Sequence, residues 1–521
     1  MIIIVSLFLF LLDNYTFFKN VLKVYPFGGN TGFVLSLGIV LFAVTVLFFT
    51  LLSSRLTTKP LLIIALIISS LTNYFMNTYN VVIDESMIRN TLQTNLSESL
   101  DLLTFKQVLY FVFLGLLPAY MVYRTNISYR DLKAELWAKT KTILLMLLVV
   151  SSSFFTYSKH YTSFFREHKP LRFSANPLYW IYSSGKYIYL THNSGPVAVK
   201  AIGTDAEITP DEKPPKLVIV VVGEAARADH FSLNGYERET NPLLKKEEII
   251  NFKQMYSCAT STARSVPCMF SLYPRSEFSY KKGINTENVL DVLKHTRQVA
   301  LLWRDNNSDS KGVAKRIQHE DYRTPKHNTV CVEGECRDIG MLVGLDTFIT
   351  QHKEKDILII LHQMGNHGPA YYKRYTKTYE KFTPACTTNQ LEACQREEII
   401  NAYDNALLYT DSFLKKTIDF LKKYDDSRAT AMLYMADHGE SLGENGIYLH
   451  GLPYFMAPDA QKHIGALFWF GKIFREDERI KRLRSKQQKH FSHDNLFHTL
   501  LGLFNVKTKV YDKKLDMLHM E

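Results

Sequence analysis

The sequence predicts two architectures in series: five apolar helices that cross a membrane, then an α/β domain on a largely parallel sheet. Three observations carry this. Apolar stretches recur at about 2–18, 33–53, 60–78, 107–123 and 141–158, each near the ~20 residues that a ~30 Å hydrocarbon core requires. Nearly all the charge lies beyond them. From residue 216 onward, short β-branched runs alternate with helical patterns, as in α/β folds.

The first stretch, MIIIVSLFLFLLDNYTFF, lacks the basic start and small-residue cleavage site of a signal peptide. It reads as a span, short before Asp13, with room for a few residues upstream. The loop SSRLTTKP (53–60) carries Arg55 and Lys59, and the loop 124–141 carries five further cations, whereas 79–106 is acidic. The excess of Lys and Arg places the two basic loops in the cytoplasm. Five spans then put the C-terminal two-thirds outside. Residues 1–158 form the membrane domain in this reading. Residues 159–215 form an interfacial linker, because PLYWIYSSGKYIYL (177–190) is rich in the Tyr and Trp that favour the headgroup level. AEITPDEKPPK (206–216) is a turn-rich boundary, and 216–521 is the catalytic domain.

Six cysteines at 258, 268, 331, 336, 386 and 394 all fall in that domain. Their near-neighbour spacing favours the pairs Cys258–Cys268, Cys331–Cys336 and Cys386–Cys394, which require an oxidising compartment. The charge bias and the cysteines thus agree on an extracytoplasmic domain. The net charge of +11 comes without a basic run, interleaved aromatics or zinc-finger spacing, so nucleic acid is excluded. An anionic membrane surface or a phosphorylated substrate is the expected partner.

Four runs read as buried parallel strands: KLVIVVVGEAAR (216–227), QVALLWRDN (298–306), DILIILHQMGNHG (356–368) and TAMLYMADHGES (430–441). NAYDNALLYTDSFLKKTIDFLKKY (401–424) has helical spacing with lysines towards its end. Ligands of such sheets bind beyond the carboxyl ends of the strands. Polar residues gather there: Glu224, Asn306 and Asn307, His362 and His367, and the Asp437-His438 pair.

Each of these alone is an ordinary loop residue. Together, two carboxylates, an imidazole and a hydroxyl would complete a four-coordinate zinc site. A metal there activates an otherwise weak hydroxyl nucleophile and neutralises phosphoryl charge. The hydroxyls come from SCATSTARSVPCMFS (257–271), whose Thr260, Ser261, Thr262 and Ser265 precede or open a helix. A helix N-terminus attracts phosphate. The same hydroxyls also suit plain helix capping, and the local pattern does not choose among them. His450, in the glycine-flanked GIYLHG, joins His362 and His367 as a candidate for a second metal or phosphate site. Lys311 suits a phosphate as a point charge.

The motifs GEAARADHFSLNGYERETNP, SCATSTARSVPCMFS, WRDNNSDSKG, HQMGNHGPAY, INAYDNALLYTD and DHGESLGENGIYLHG closely resemble those of the lipid A phosphoethanolamine transferases, the polymyxin-resistance enzymes among them. The resemblance implies an alkaline phosphatase/sulfatase-like fold in the periplasm, anchored in the bacterial inner membrane as a monomer. It implies Thr262 as nucleophile, with zinc held by Glu224, Thr262, Asp437 and His438. His367 and His450 would act as acid or base and bind the phosphoethanolamine group. Ser308 and Lys311 would contact substrate, and so would Asn90, Thr94 and Glu98. The last three share one helical face at i, i+4, i+8. The implied reaction moves phosphoethanolamine from phosphatidylethanolamine to a lipid A phosphate through a phosphoethanolamine-threonine intermediate. This lowers the anionic charge that cationic peptides seek.

Alternatives are a core heptose or other periplasmic acceptor, a phosphatase- or sulfatase-type hydrolase, and a non-enzymatic membrane-anchored binding protein. A transporter would need buried charge pairs that the spans lack. One departure is local: Ala259 stands where the family often has glycine, a harmless change unless that position needs φ > 0.

Overall fold

The computed structural model describes residues 1–93, 102–129, 131–166, 168–192, 198–209, 214–332 and 334–519. The chain divides into two compact units, Met1–Ile88 with Leu103–Thr191, and Arg89–Leu102 with His192–Glu521.

The first unit is helical: α1 (Ile2–Leu12), α2 (Tyr15–Val24), α3 (Thr31–Leu52), α4 (Thr58–Tyr79), α5 (Glu85–Gln93, which ends in the second unit), α6 (Phe105–Arg124), α7 (Leu132–Thr156), α8 (Ser158–Arg166) and α9 (Leu178–His192). Four of these, α3, α4, α6 and α7, are long and apolar enough to cross a membrane. The expected span at 2–18 is instead two helices, α1 and α2, bent by 57° and counting as a fifth span only if taken together. The break has a polar cause. Asn73 Nδ2 donates to the buried Asp13 carboxylate at 2.8 Å. Asn14 Nδ2 donates to Leu9 O at 3.0 Å and to Asn176 O at 2.8 Å, and Asn176 N returns a bond to Asn14 Oδ1 at 3.0 Å. The kink thus exchanges helical hydrogen bonds for side-chain ones, which lower the cost of burying polar groups; Asp13 Oδ2 alone of this group finds no partner among the described residues.

Between α4 and α6 the backbones approach closely. A Cβ on Gly115 would lie 2.5 Å from Ser70 Oγ, the small-residue contact typical of membrane helices. An aromatic cluster of Phe17, Tyr25, Phe33, Tyr161 and Phe164 fills the space beside α3. By contrast, α7 buries no residue, which suits a face turned to lipid. The Tyr-rich segment 177–190 falls on α9.

The second unit is an α/β domain. Its strands of three or more residues, among the described ones, are β1 (Lys216–Gly223), β2 (Ile249–Asn251), β3 (Gln254–Tyr256), β4 (Val299–Asp305), β5 (Gln318–Asp321), β6 (Asp356–His362), β7 (Ala429–Ala436), β8 (Ala466–Phe470) and β9 (His490–Ser492). Seven form one sheet in the order β2-β8-β7-β1-β6-β4-β5. The five strands from β7 to β5 run parallel, and β8 and β2 add antiparallel at one edge. The central strands β1 and β7 are buried along their whole length, the pattern of a sheet covered on both faces. Register aligns the carboxyl ends: Gly223 opposes Ala436, Val222 opposes His362, and His362 opposes Asp305. Residues that follow these four strands therefore converge on one edge of the sheet. Two helices matter to that edge, α10 (Thr262–Met269) and the 27-residue α11 (Arg396–Lys422). Cysteines 258 and 268, 331 and 336, and 386 and 394 are joined as disulfides.

Candidate active site

β1 ends at Gly223 and delivers Glu224; β7 ends at Ala436 and delivers Asp437 and His438. Asp437 N donates to Gly223 O at 2.8 Å, which locks the two strand ends together. The chain then turns sharply at Ala225, whose φ of 52° lies in the left-handed region. Such a conformation costs a non-glycine residue of order 1–3 kcal/mol, and it is held from both sides. Ala225 N donates to Asp437 Oδ1 at 3.2 Å, and Ala225 O accepts from Tyr403 Oη at 2.8 Å. Gly365 supports Glu224 from the β6 loop. Its φ is +49°, and a Cβ there would meet Glu224 backbone atoms at 3.0–3.1 Å.

Thr262 begins α10, with Ser261 at the N-cap position. Its Oγ1 donates to Glu224 Oε2 at 3.2 Å and lies 3.3 Å from His438 Nε2. His438 Nε2 also lies 3.3 Å from Asp437 Oδ2 and 3.4 Å from Glu224 Oε1. All four residues are buried, Asp437 and His438 completely. His438 Nδ1 donates to Gly439 O at 2.8 Å, which leaves the Nε2 lone pair facing the two carboxylates. Burial first, and His450 next, push His438 well below the usual imidazole value; burial raises Asp437. The ring is therefore neutral at pH 7.

Two carboxylates, one imidazole lone pair and a hydroxyl point at one another, and the ligand atoms of Glu224, Asp437 and His438 lie within 4.8 Å of one another. Asp437 Oδ2 is buried without a well-formed hydrogen bond among the described residues. Oxygen and nitrogen donors crowded this way repel unless a cation joins them. The set fits a tetrahedral divalent metal.

A second layer surrounds this cluster. His450 Nδ1 pairs with Glu440 Oε2 at 2.9 Å, and Tyr371 Oη donates to Glu440 Oε1 at 3.0 Å. The His450 ring lies 4.2 Å from that of His438 and 6.0 Å from that of His367. The His450 side chain keeps 17% exposure, while Glu440 is fully buried. Burial, then Arg374 and His450, hold His367 well below the usual imidazole value, and its Nδ1 finds no hydrogen bond among the described residues. Ser308 and Lys311 join through Asn307. Ser308 Oγ donates to Asn307 Oδ1 at 2.9 Å, Lys311 Nζ donates to Ser308 O at 3.0 Å, and Asn307 Nδ2 donates to Glu224 Oε2 at 2.7 Å.

Other candidates land elsewhere. His362 is a core residue, fully buried, with Nδ1 2.9 Å from Asp305 Oδ2. Burial opposes ionisation of Asp305, yet His362 holds its carboxyl below the usual range. Ser261 occupies the N-cap position but makes no side-chain capping bond; its carbonyl accepts from Arg264 and Ser265 instead. Thr260 Oγ1 donates to Leu452 O at 2.5 Å. Ala259 is not among the positive-φ residues, so its methyl adds no strain. Asn90 is half-buried on α5, whereas Thr94 and Glu98 lie outside the described residues.

Sequence reasoning gave no role to Glu440 or His493, named Asn307 only as a strand-end polar residue, and left Ser265 among four interchangeable hydroxyls. Asn307 and Glu440 were within reach, since each stands within four residues of a strand's carboxyl end. Ser265 Oγ donates to Asp437 O, a contact that only the fold reveals.

A parallel sheet with carboxylates, imidazole and a helix-borne hydroxyl at its carboxyl edge defines a hydrolase- or transferase-type enzyme of the sulfatase class. The Sulfatase family profile matches residues 216–506, and that of Phosphoethanolamine transferase EptA/EptB matches 41–191. Phosphatidylethanolamine transferase Mcr-2 of Escherichia coli is 44% identical over 98% of this chain and 96% of its own. Phosphoethanolamine transferase EptA of E. coli K12 is 38% identical over 97% and 93%. The solved structure of the integral membrane protein lipooligosaccharide phosphoethanolamine transferase A from Neisseria meningitidis superposes with a TM-score of 0.95 at 35% identity, over 99% and 98%. The chain belongs to the phosphoethanolamine transferase family and is an enzyme of that kind.

Proposed function

We propose that this enzyme moves phosphoethanolamine from phosphatidylethanolamine to a phosphate of lipid A, with the catalytic domain in the periplasm and the helical unit in the inner membrane. The observation that carries the reading is the position of Thr262: a buried hydroxyl at a helix N-terminus, 3.2 Å from Glu224 and 3.3 Å from His438. The relatives' names supply the transferred group, and "lipooligosaccharide" in the Neisseria enzyme's name supports a lipid A type acceptor.

Glu224, Thr262, Asp437 and His438 would hold zinc. Zinc so held supplies Lewis acidity, lowering the pKa of a hydroxyl bound to it and neutralising phosphoryl charge. Thr262 Oγ1 attacks the donor phosphorus, and the P–O bond to the diacylglycerol breaks. The departing alkoxide takes one proton, and diacylglycerol leaves. Phosphoethanolamine stays esterified to Thr262. A lipid A phosphate oxygen then attacks that phosphorus, and Thr262 regains its proton as it is released. His450, oriented by Glu440 and partly exposed, suits the proton transfers. His367, neutral by burial, suits hydrogen bonding to the phosphoethanolamine group. Ser308 and Lys311 would contact its phosphate oxygens, and Asn90, together with Thr94 and Glu98 outside the described residues, would contact the lipid headgroup. Burial excludes water from Thr262, which favours transfer over hydrolysis.

The test is mass spectrometry of lipid A from cells expressing wild type or Thr262→Ala. The expected result is a phosphoethanolamine increment with wild type alone. No increment with wild type removes lipid A as acceptor, and an equal increment in both removes Thr262 as nucleophile.

A further inference from the structure

His493 begins the turn after β9, far from Thr262 in sequence. Parallel pairing of β9 with β3, Ser492 opposite Tyr256, brings it beneath the nucleophile segment. The ring is completely buried. Its two nitrogens are both used. Nδ1 accepts the N–H of Cys258 at 3.0 Å, and Nε2 donates to Ala436 O at 2.9 Å. Ser265 Oγ lies 3.4 Å from the same Nδ1 and donates to Asp437 O.

Those partners are not arbitrary. Cys258 stands four residues before Thr262 and is tied by its disulfide to Cys268 within α10. Ala436 is the last residue of β7, next to Asp437 and His438. One rigid ring therefore spans the loop that carries the hydroxyl and the strand end that carries two metal donors. A leucine would fill similar space and brace neither side.

We propose that His493 is a positioning residue for group transfer: by joining Cys258 to Ala436 it fixes Thr262 against the Asp437–His438 pair. The inference rests on Thr262 being the nucleophile. A misplacement of about 1 Å at a reacting centre costs on the order of 100-fold in rate, and partners that orient metal ligands contribute about 10–100-fold in metal affinity.

The experiment uses the full chain in detergent micelles with phosphatidylethanolamine as donor. His493→Leu removes both bonds. His493→Asn keeps an acceptor near the Nδ1 position, and His493→Gln keeps a donor near the Nε2 position. Three quantities are read for each: the rate at which Thr262 becomes modified at saturating donor, the donor KM, and the rate of zinc loss to a chelator. With His493→Leu, modification should slow about 100-fold with KM within about twofold of wild type, and zinc loss should quicken about tenfold or more. Asn and Gln should each recover about tenfold of the lost rate, because each restores one strut. Thermal unfolding separates simple misfolding from misplacement. If Leu does not fold, Asn and Gln decide: wild-type rates and zinc retention in both overturn the proposal. So does a folded Leu variant with wild-type rate, or a loss carried by KM alone. Were wild-type Thr262 to remain unmodified, the functional reading would fall, and zinc retention alone would judge His493.

Discussion

The candidate site has two halves built differently. Glu224, Thr262, Asp437 and His438 are sealed: each is buried, and each is in polar contact with a second element. His450, Lys311 and Ser308 form the other half: all three sit on turns, Ser308 and Lys311 are buried as deeply as Thr262, and His450 keeps part of its side chain open. Fixed geometry suits the half that, in the proposed reaction, would make and break the bond to phosphorus, where misplacement is penalised steeply. In the proposed reaction this second half would meet two different lipids in succession, and so would recognise a shared phosphate rather than a single shape.

Substitutions can break or sharpen this contrast. The largest effect is expected from Thr262→Ala and Asp437→Asn, each lowering transfer by at least about 1,000-fold. The two differ in metal: bound zinc measured by mass spectrometry should persist without Thr262 and fall without Asp437. His450→Ala should cost about 100-fold in kcat, within the usual reach of a general acid or base. A loss equal to that of Thr262→Ala would erase the distinction between the halves. Lys311→Ala should act on recognition, raising the donor KM about tenfold, equal to ~1.4 kcal/mol, with kcat changed little. A fall in kcat alone would move Lys311 to the half around Thr262. The smallest effect is expected far from the chemistry. Replacing Cys331 and Cys336 by alanine opens a loop of five residues, worth roughly 2 kcal/mol. It should lower the melting temperature by several degrees with kcat unchanged.

Much of this was legible before any coordinates. Strand ends could be read because β1, β4, β6 and β7 are short, apolar runs that end at or just before polar residues. The polar residues at those stops include Glu224, Asp437 and His438. Two features were not legible. The break at Asp13–Asn14 depends on Asn73 and Asn176, and an apolar window carries no trace of such distant partners. His362 and His367 looked alike on one loop, yet register places the first against Asp305 and leaves the second beside His450. Choosing Thr262 from four hydroxyls likewise needed the motif resemblance, since local spacing treats all four as capping residues.

The Asn14–Asn176 pair also sets a schedule. The partners are 162 residues apart in the chain. At about 5–20 residues per second, the ribosome needs roughly ten to thirty seconds to reach the second after making the first. During that interval α1 and α2 hold their polar elbow among apolar helices with its last two bonds unmade. Residue 176 closes that knot only after every span-length helix has been synthesised. The helical unit therefore acquires its finished N-terminal corner last, and a truncation just short of residue 176 would yield a bundle whose first helices remain open to the quality-control machinery of the membrane.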